Sequence, residues 1–206
     1  MKKLLSIILC VIMLFALSSC GRVRKVESLT WGFSNYNIKN YEKNRTEIEY
    51  ADKFMSSLDD LDGYTNIGYS YQYTNQMMFE IYSIALYVEY PADIYEEKKI
   101  EVLSSYDFLE ETRISKDGES YQSPAARFEY GGYSFSTSIN THVGYYDNSY
   151  CKSFAFIGVN DDKHRIAYCY TYDFHLDTFG SIDRFESEQE MITQYIDKFY
   201  DWKDLP

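Results

Sequence analysis

Apolar positions along this chain recur with two periods, and the switches between them mark its elements. From Thr46 onward, Ile48, Ala51, Met55, Leu58 and Leu61 return at helical intervals on one side. Thr46-x-x-Glu49 has the spacing of a capping box and Gly63 supplies a stop, so one helix is expected between them. Ile67, Tyr69, Tyr71 and Tyr73 then alternate with Gly68, Ser70 and Gln72, the period of a strand. Met78 to Tyr90 is a long apolar run rich in β-formers, read as a central strand buried on both faces, with a helix as the open alternative. Pro91 ends it. Asp93-x-x-Glu96 caps a second helix to about Tyr106, which turns Tyr95, Val102, Leu103 and Tyr106 inward.

A block of short strands follows. Lys116-Asp117-Gly118 marks one turn and Gly131-Gly132 a stronger one, because both positions of a two-residue hairpin loop favour positive φ. That loop sets Tyr130 opposite Tyr133 and Phe128 opposite Phe135, with all four rings on one face. A further hairpin turns at Asn160-Asp161-Asp162-Lys163. Phe154 and Phe156 lie on its first strand, and Ile166, Tyr168, Tyr170, Tyr172 and Phe174 on its second. A last helix opens at Ser187-x-x-Glu190 and carries the stripe Met191, Ile192, Tyr195, Ile196 and Phe199. Hairpins with helices set between them predict an α+β domain: an antiparallel sheet of about six to eight strands packed against about three helices.

The start of the chain has a different character. Lys2 and Lys3 precede Leu4 to Leu17, a charge-free apolar run of 14 residues, too short for a comfortable membrane span. Leu17-Ser18-Ser19-Cys20 follows. On these residues the N-terminus resembles that of a bacterial lipoprotein, with Leu17 to Cys20 matching its lipobox position by position. The resemblance implies cleavage before Cys20, a diacylglyceryl group on the Cys20 sulfur, and attachment to the cell membrane facing outside the cytoplasm. It divides the chain into a signal peptide (1–19), a lipidated cysteine and tether (20–45), and one extracytoplasmic domain (46–206). An ordinary cleaved signal or an uncleaved anchor is the alternative for the same residues. The family of the folded domain is not recognisable.

Charge refines this picture. Loss of Lys2 and Lys3 with the leader takes the formal charge from −12 to −14. Between Arg22 and Lys53 there are 7 basic and 5 acidic residues, whereas from Phe54 onward there are 11 and 27. Arg22, Arg24 and Lys25 sit where anionic headgroups attract each by roughly 1 kcal/mol. The acidic domain beyond them is repelled by the same surface. Nucleic acid is a poor partner, because phosphate binding needs clustered Lys and Arg. The 23 Tyr and 13 Phe, beside only 3 Pro, exclude a disordered chain.

Few residues suggest chemistry. Cys151 and Cys169 are the only cysteines besides Cys20 left after cleavage. If paired residue numbers in their hairpin sum to 320, the two lie opposite each other, and a disulfide and two buried thiols are both open. A sum of 322 sets Cys151 opposite Thr171 instead. His142, His164 and His175 lack metal-ligand spacing, and Asp59-Asp60-Leu61-Asp62-Gly63 fails as a calcium loop because Leu58 and Tyr69 fall on ligand positions. No phosphate loop, dinucleotide fingerprint or nucleophile elbow is present, so no catalytic residue, metal or cofactor is assigned. The segment Gly144 to Tyr150 offers Tyr145, Tyr146, Asp147, Asn148 and Tyr150 for stacking on a sugar ring and bonding its hydroxyls, or else forms an ordinary loop. The expectation is a non-enzymatic domain that binds a protein partner or a small-molecule or glycan ligand. A glycan hydrolase and a structural or assembly factor of the envelope are the alternatives.

Overall fold

Hairpins meeting at one long-range pairing build the sheet. The computed structural model describes residues 30–76, 79–114, 118–123, 126–139, 153–173, 190, 193 and 196–197. The chain divides into Met1–Trp31 and Gly32–Pro206, and the second unit carries the fold. The strands are β1 (Thr30–Asn35), which crosses that boundary, β2 (Asn66–Gln76), β3 (Phe79–Glu89), β4 (Thr112–Ile114), β5 (Ser120–Gln122), β6 (Arg127–Tyr130), β7 (Tyr133–Thr137), β8 (Ser153–Asn160) and β9 (Arg165–Asp173). Seven of them form one open antiparallel sheet in the order β1-β2-β3-β9-β8-β7-β6, while β4 and β5 pair separately. The described helices are α1 (Tyr41–Thr46), α2 (Glu49–Phe54) and α3 (Ala92–Ser105). This is the α+β class that the hairpin pattern predicts.

Residues opposite each other in an antiparallel pair share a face, so the registers sort the core. Tyr69, Tyr71, Ile84, Leu86, Tyr168, Tyr170, Ala155 and Ile157 lie on the face covered by the helices, against Tyr41, Ala51, Phe54 and Tyr95. The other face carries Phe128, Phe135, Phe154 and Phe156, with ring centroids of 5.1 Å for Phe128–Phe135 and 4.7 Å for Phe154–Phe156. Ile196, a helical position, is fully buried, and Tyr130 donates its hydroxyl to Asp197. Glu190, Thr193 and Asp197 are helical as well, and the other residues of the predicted last helix lie outside the described residues.

The Gly131-Gly132 turn forms as expected. Both glycines have positive φ, at 60° and 82°, and Tyr130 pairs with Tyr133 and Phe128 with Phe135. The Met78–Tyr90 run is strand β3, third in the sheet, and Ala85 to Val88 are buried on both faces.

Three expectations are corrected. The β8–β9 register is neither of the two proposed: Phe154 pairs with Thr171, Phe156 with Cys169 and Asn160 with Arg165. Phe154 and Phe156 therefore lie on the face opposite Tyr168 and Tyr170. The loop holds four residues, Asp161 to His164; His164 takes φ 50° and Asn160 accepts the Lys163 N–H at 2.9 Å. Ring-on-ring pairing was a poor guide because both faces of this sheet are buried.

The single helix from Thr46 is also broken. Thr46 ends α1, and its hydroxyl donates back to the carbonyls of Glu42 and Lys43 at 2.9 and 3.1 Å instead of capping. Arg45 turns the corner: its guanidinium donates to the Asp52 carbonyl and carboxylate at 2.9 and 2.7 Å, and to Glu42. Glu42 in turn accepts the Leu58 N–H at 2.6 Å. Ile48, Ala51 and Met55 still point into the core. Asp93 does not cap α3; Pro91 stands at its N-cap and Asp93 falls in the first turn.

The ordered chain also reaches back before residue 46. Tyr41 is wholly buried, edge-on to Tyr69 with centroids 5.5 Å apart, and donates to the Ser56 carbonyl at 2.6 Å. Tyr41, inside the 20–45 segment read as a tether, thus packs in the core.

Candidate ligand-binding cleft

The small residues on the helix face of β8 leave a space that the helices do not fill. Ser153 and Ala155 carry almost no side chain there, and Ser138, after β7, is equally short. Over them, α2 and the end of α3 stand apart. The result is a cleft of about 430 Å³ between the helices and the sheet, within the roughly 300–1,000 Å³ range of small-molecule sites.

Its walls are aromatic and its rim polar. Tyr170 forms part of the floor, while Phe54 and Tyr106 form a side wall, packed edge-to-face with centroids 5.2 Å apart. The Tyr106 hydroxyl donates to the Phe54 backbone carbonyl at 2.7 Å, which fixes the Tyr106 ring. Tyr50 is 60% exposed at the mouth. Lys53 sits 5.7 Å from the Tyr50 ring centroid and bonds Glu49 at 2.7 Å. Ser105 and Asp107 are exposed at the rim, and Ser138 and Ser153 add hydroxyls on the sheet side. Such a lining can stack on the apolar face of a small ring and exchange hydrogen bonds with polar substituents around it.

Proton chemistry has little to work with among the described residues. Burial pushes the Tyr106 phenol up, so it stays neutral and keeps its proton near neutral pH. Every described carboxyl with a displaced pKa is displaced downward. At Glu42 burial opposes ionisation, but the Leu58 N–H and the Arg45 guanidinium outweigh it. Lys53 holds Glu49 down, Lys98 holds Asp62 down, and Tyr95 with Lys99 holds Asp161 down. A general acid needs the opposite displacement. No group of three or more His, Cys, Asp and Glu among the described residues could hold a metal ion.

Of the site residues expected from sequence, Cys169 alone is described. It is fully buried on the phenylalanine face opposite Phe156, and burial pushes its thiol well up, which makes it a poor nucleophile. Cys20, Cys151, Tyr145, Tyr146, Asp147, Asn148 and Tyr150 lie outside the described residues, as do His142 and His175. In sequence, the stretch holding those tyrosines runs between Ser138 and Ser153, both of which line the cleft. The cleft was not foreseen because it depends on the break at Arg45. One signal was available: Tyr50 falls off the Ile48, Ala51, Met55 stripe.

Among the described residues no helix is long and apolar enough to cross a membrane. Comparison of the chain with protein-family models, with curated proteins and with solved structures returned no match.

Proposed function

We propose that this protein is a lipid-anchored lipoprotein whose extracytoplasmic domain binds a small ligand without transforming it. The anchor rests on Leu17-Ser18-Ser19-Cys20 behind a short apolar run. The binding role rests on the cleft of about 430 Å³, lined by the rings of Phe54, Tyr106 and Tyr170 and by serine hydroxyls. Among the described residues lining the cleft Asp107 is the one carboxylate, whereas glycoside hydrolysis uses a pair, and this favours binding over hydrolysis. Aromatic walls beside serine hydroxyls and one carboxylate suit a glycan or a polyhydroxylated metabolite.

A thermal-shift screen of the full chain against glycans and metabolites tests this reading. A compound at 100 times its dissociation constant stabilises the folded state by about 2.7 kcal/mol. At least one compound is expected to raise the unfolding midpoint in a saturable way. A screen in which no compound does so contradicts the reading.

A further inference from the structure

Beyond the cleft, the helix face of the sheet ends in three tyrosines arranged around one carboxylate. Tyr73 pairs across the strands with Tyr82, and Tyr82 in turn with Tyr172, so the three rings stand side by side on β2, β3 and β9. Their centroids are 5.1 and 6.4 Å apart. Glu80 lies two residues before Tyr82 and so on the same face. One of its oxygens accepts the Tyr73 hydroxyl at 3.0 Å and the other accepts the Tyr82 hydroxyl at 2.5 Å. Asn75 donates to the Tyr73 oxygen at 3.2 Å. The carboxylate is thus held in place by two phenols, with its remaining lone pairs available.

The charge on this shelf is unbalanced. Glu42, Glu49, Asp62, Glu89 and Asp161 each have a Lys or Arg within 2.9 Å. Among the described residues no Lys or Arg forms an ion pair with Glu80, which is exposed, while Tyr82 and Tyr172 are half-buried. Aromatic faces beside a fixed carboxylate attract a cation. The surplus of acidic residues beyond Phe54 adds a long-range pull on basic molecules. Tyr73 is buried, and the shelf meets solvent through half-buried Tyr82 and Tyr172 and exposed Glu80, whereas small molecules are held in sites that enclose most of their surface. A cationic side chain carried by a larger body suits this shape.

We propose that the shelf of Tyr73, Tyr82 and Tyr172 around Glu80 docks a lysine or arginine side chain from a basic segment of a partner protein. The test is a titration of the full chain, with ring-labelled tyrosine, followed by NMR. The probe is a capped Gly-Lys-Gly-Lys-Gly peptide. The comparators are the same peptide with norleucine in place of lysine, and tetramethylammonium chloride, all at matched ionic strength. The lysine peptide is expected to shift the Tyr73, Tyr82 and Tyr172 ring resonances saturably, and the norleucine peptide to leave them in place. Glu80→Gln, at an exposed position, is expected to weaken binding about threefold or more. Tyr172→Phe, which keeps the ring, is expected to bind as wild type. Absence of a lysine-dependent shift, an equal shift with norleucine, or unchanged binding by Glu80→Gln would overturn the proposal. Tetramethylammonium binding as tightly as the peptide would assign the shelf to small amines and overturn the partner reading.

Discussion

The ring of Phe135 lies flat against Gly158, its cross-strand partner, so closely that a Cβ on Gly158 would stand 2.2 Å from Phe135 Cε1. Tyr87 covers Gly68 in the same way. On this face a missing side chain in one strand is filled by a ring from the next. Phe135 can then meet Phe156 edge-on with centroids 5.1 Å apart. Gly158→Ala should force the ring away and loosen the phenylalanine cluster, at a cost of about 1–3 kcal/mol. Urea unfolding of the variant against wild type checks this, with a lowered midpoint and unchanged slope expected. An unchanged midpoint would show that the cluster repacks freely.

Arg45 holds the corner between α1 and α2. Its side chain is 10% exposed and satisfies the Asp52 carbonyl as well as two carboxylates. Arg45→Met should keep the packing volume but leave that carbonyl and Glu42 poorly partnered, costing about 2–4 kcal/mol in denaturant unfolding. Arg45→Lys should recover only part of this, because an ammonium lacks the planar fork that reaches both sides of the corner.

The same corner gives a pH dependence of defined sign. The folded-state pKa of Glu42 is lowered despite its partial burial, through Leu58, Arg45 and Ser57. A depressed carboxyl contributes stability that is present above its unfolded value, about 4.3, and is lost as pH falls through the folded value. Asp161, lowered by Tyr95 and Lys99, acts in the same direction from about 3.9 downward. Unfolding midpoints should therefore hold steady above about pH 5 and decline below it. Glu42→Gln should flatten part of that decline; an identical acid slope in the variant would remove Glu42 from the account.

The proposed lipidation at Cys20 predicts a simple labelling pattern. Cells fed labelled palmitate should mark the wild-type protein and leave Cys20→Ser unmarked, with the variant retaining its leader. Equal labelling of the two, or none of either, would remove the anchor from the proposal.

How far the sequence foretold this molecule depends on how many burial patterns each segment could satisfy. The Gly131-Gly132 hairpin allowed one register, because a two-residue loop at the glycine pair fixes it, and Tyr130, Tyr133, Phe128 and Phe135 share one side in that register. The β8–β9 hairpin allowed several. Phe154 and Phe156 fill one buried face and Tyr168 and Tyr170 the other, so alternation could not select between them. The stripe Ile48, Ala51 and Met55 correctly gave the buried side, but not the break. That break is made by Arg45 and Glu42, whose bonds to Asp52 and Leu58 join positions no local pattern connects. The cleft follows from the break and from three short side chains on the sheet, Ser138, Ser153 and Ala155, and so was hidden with it.

The most direct measurement compares wild type with Ser153→Phe in one thermal-shift screen. Phenylalanine at this half-buried position in the cleft lining is expected to fill the cleft. The account predicts at least one glycan or metabolite that raises the wild-type midpoint and leaves the variant's midpoint unmoved. A compound that stabilises both proteins equally, or the absence of any that stabilises wild type, would contradict it.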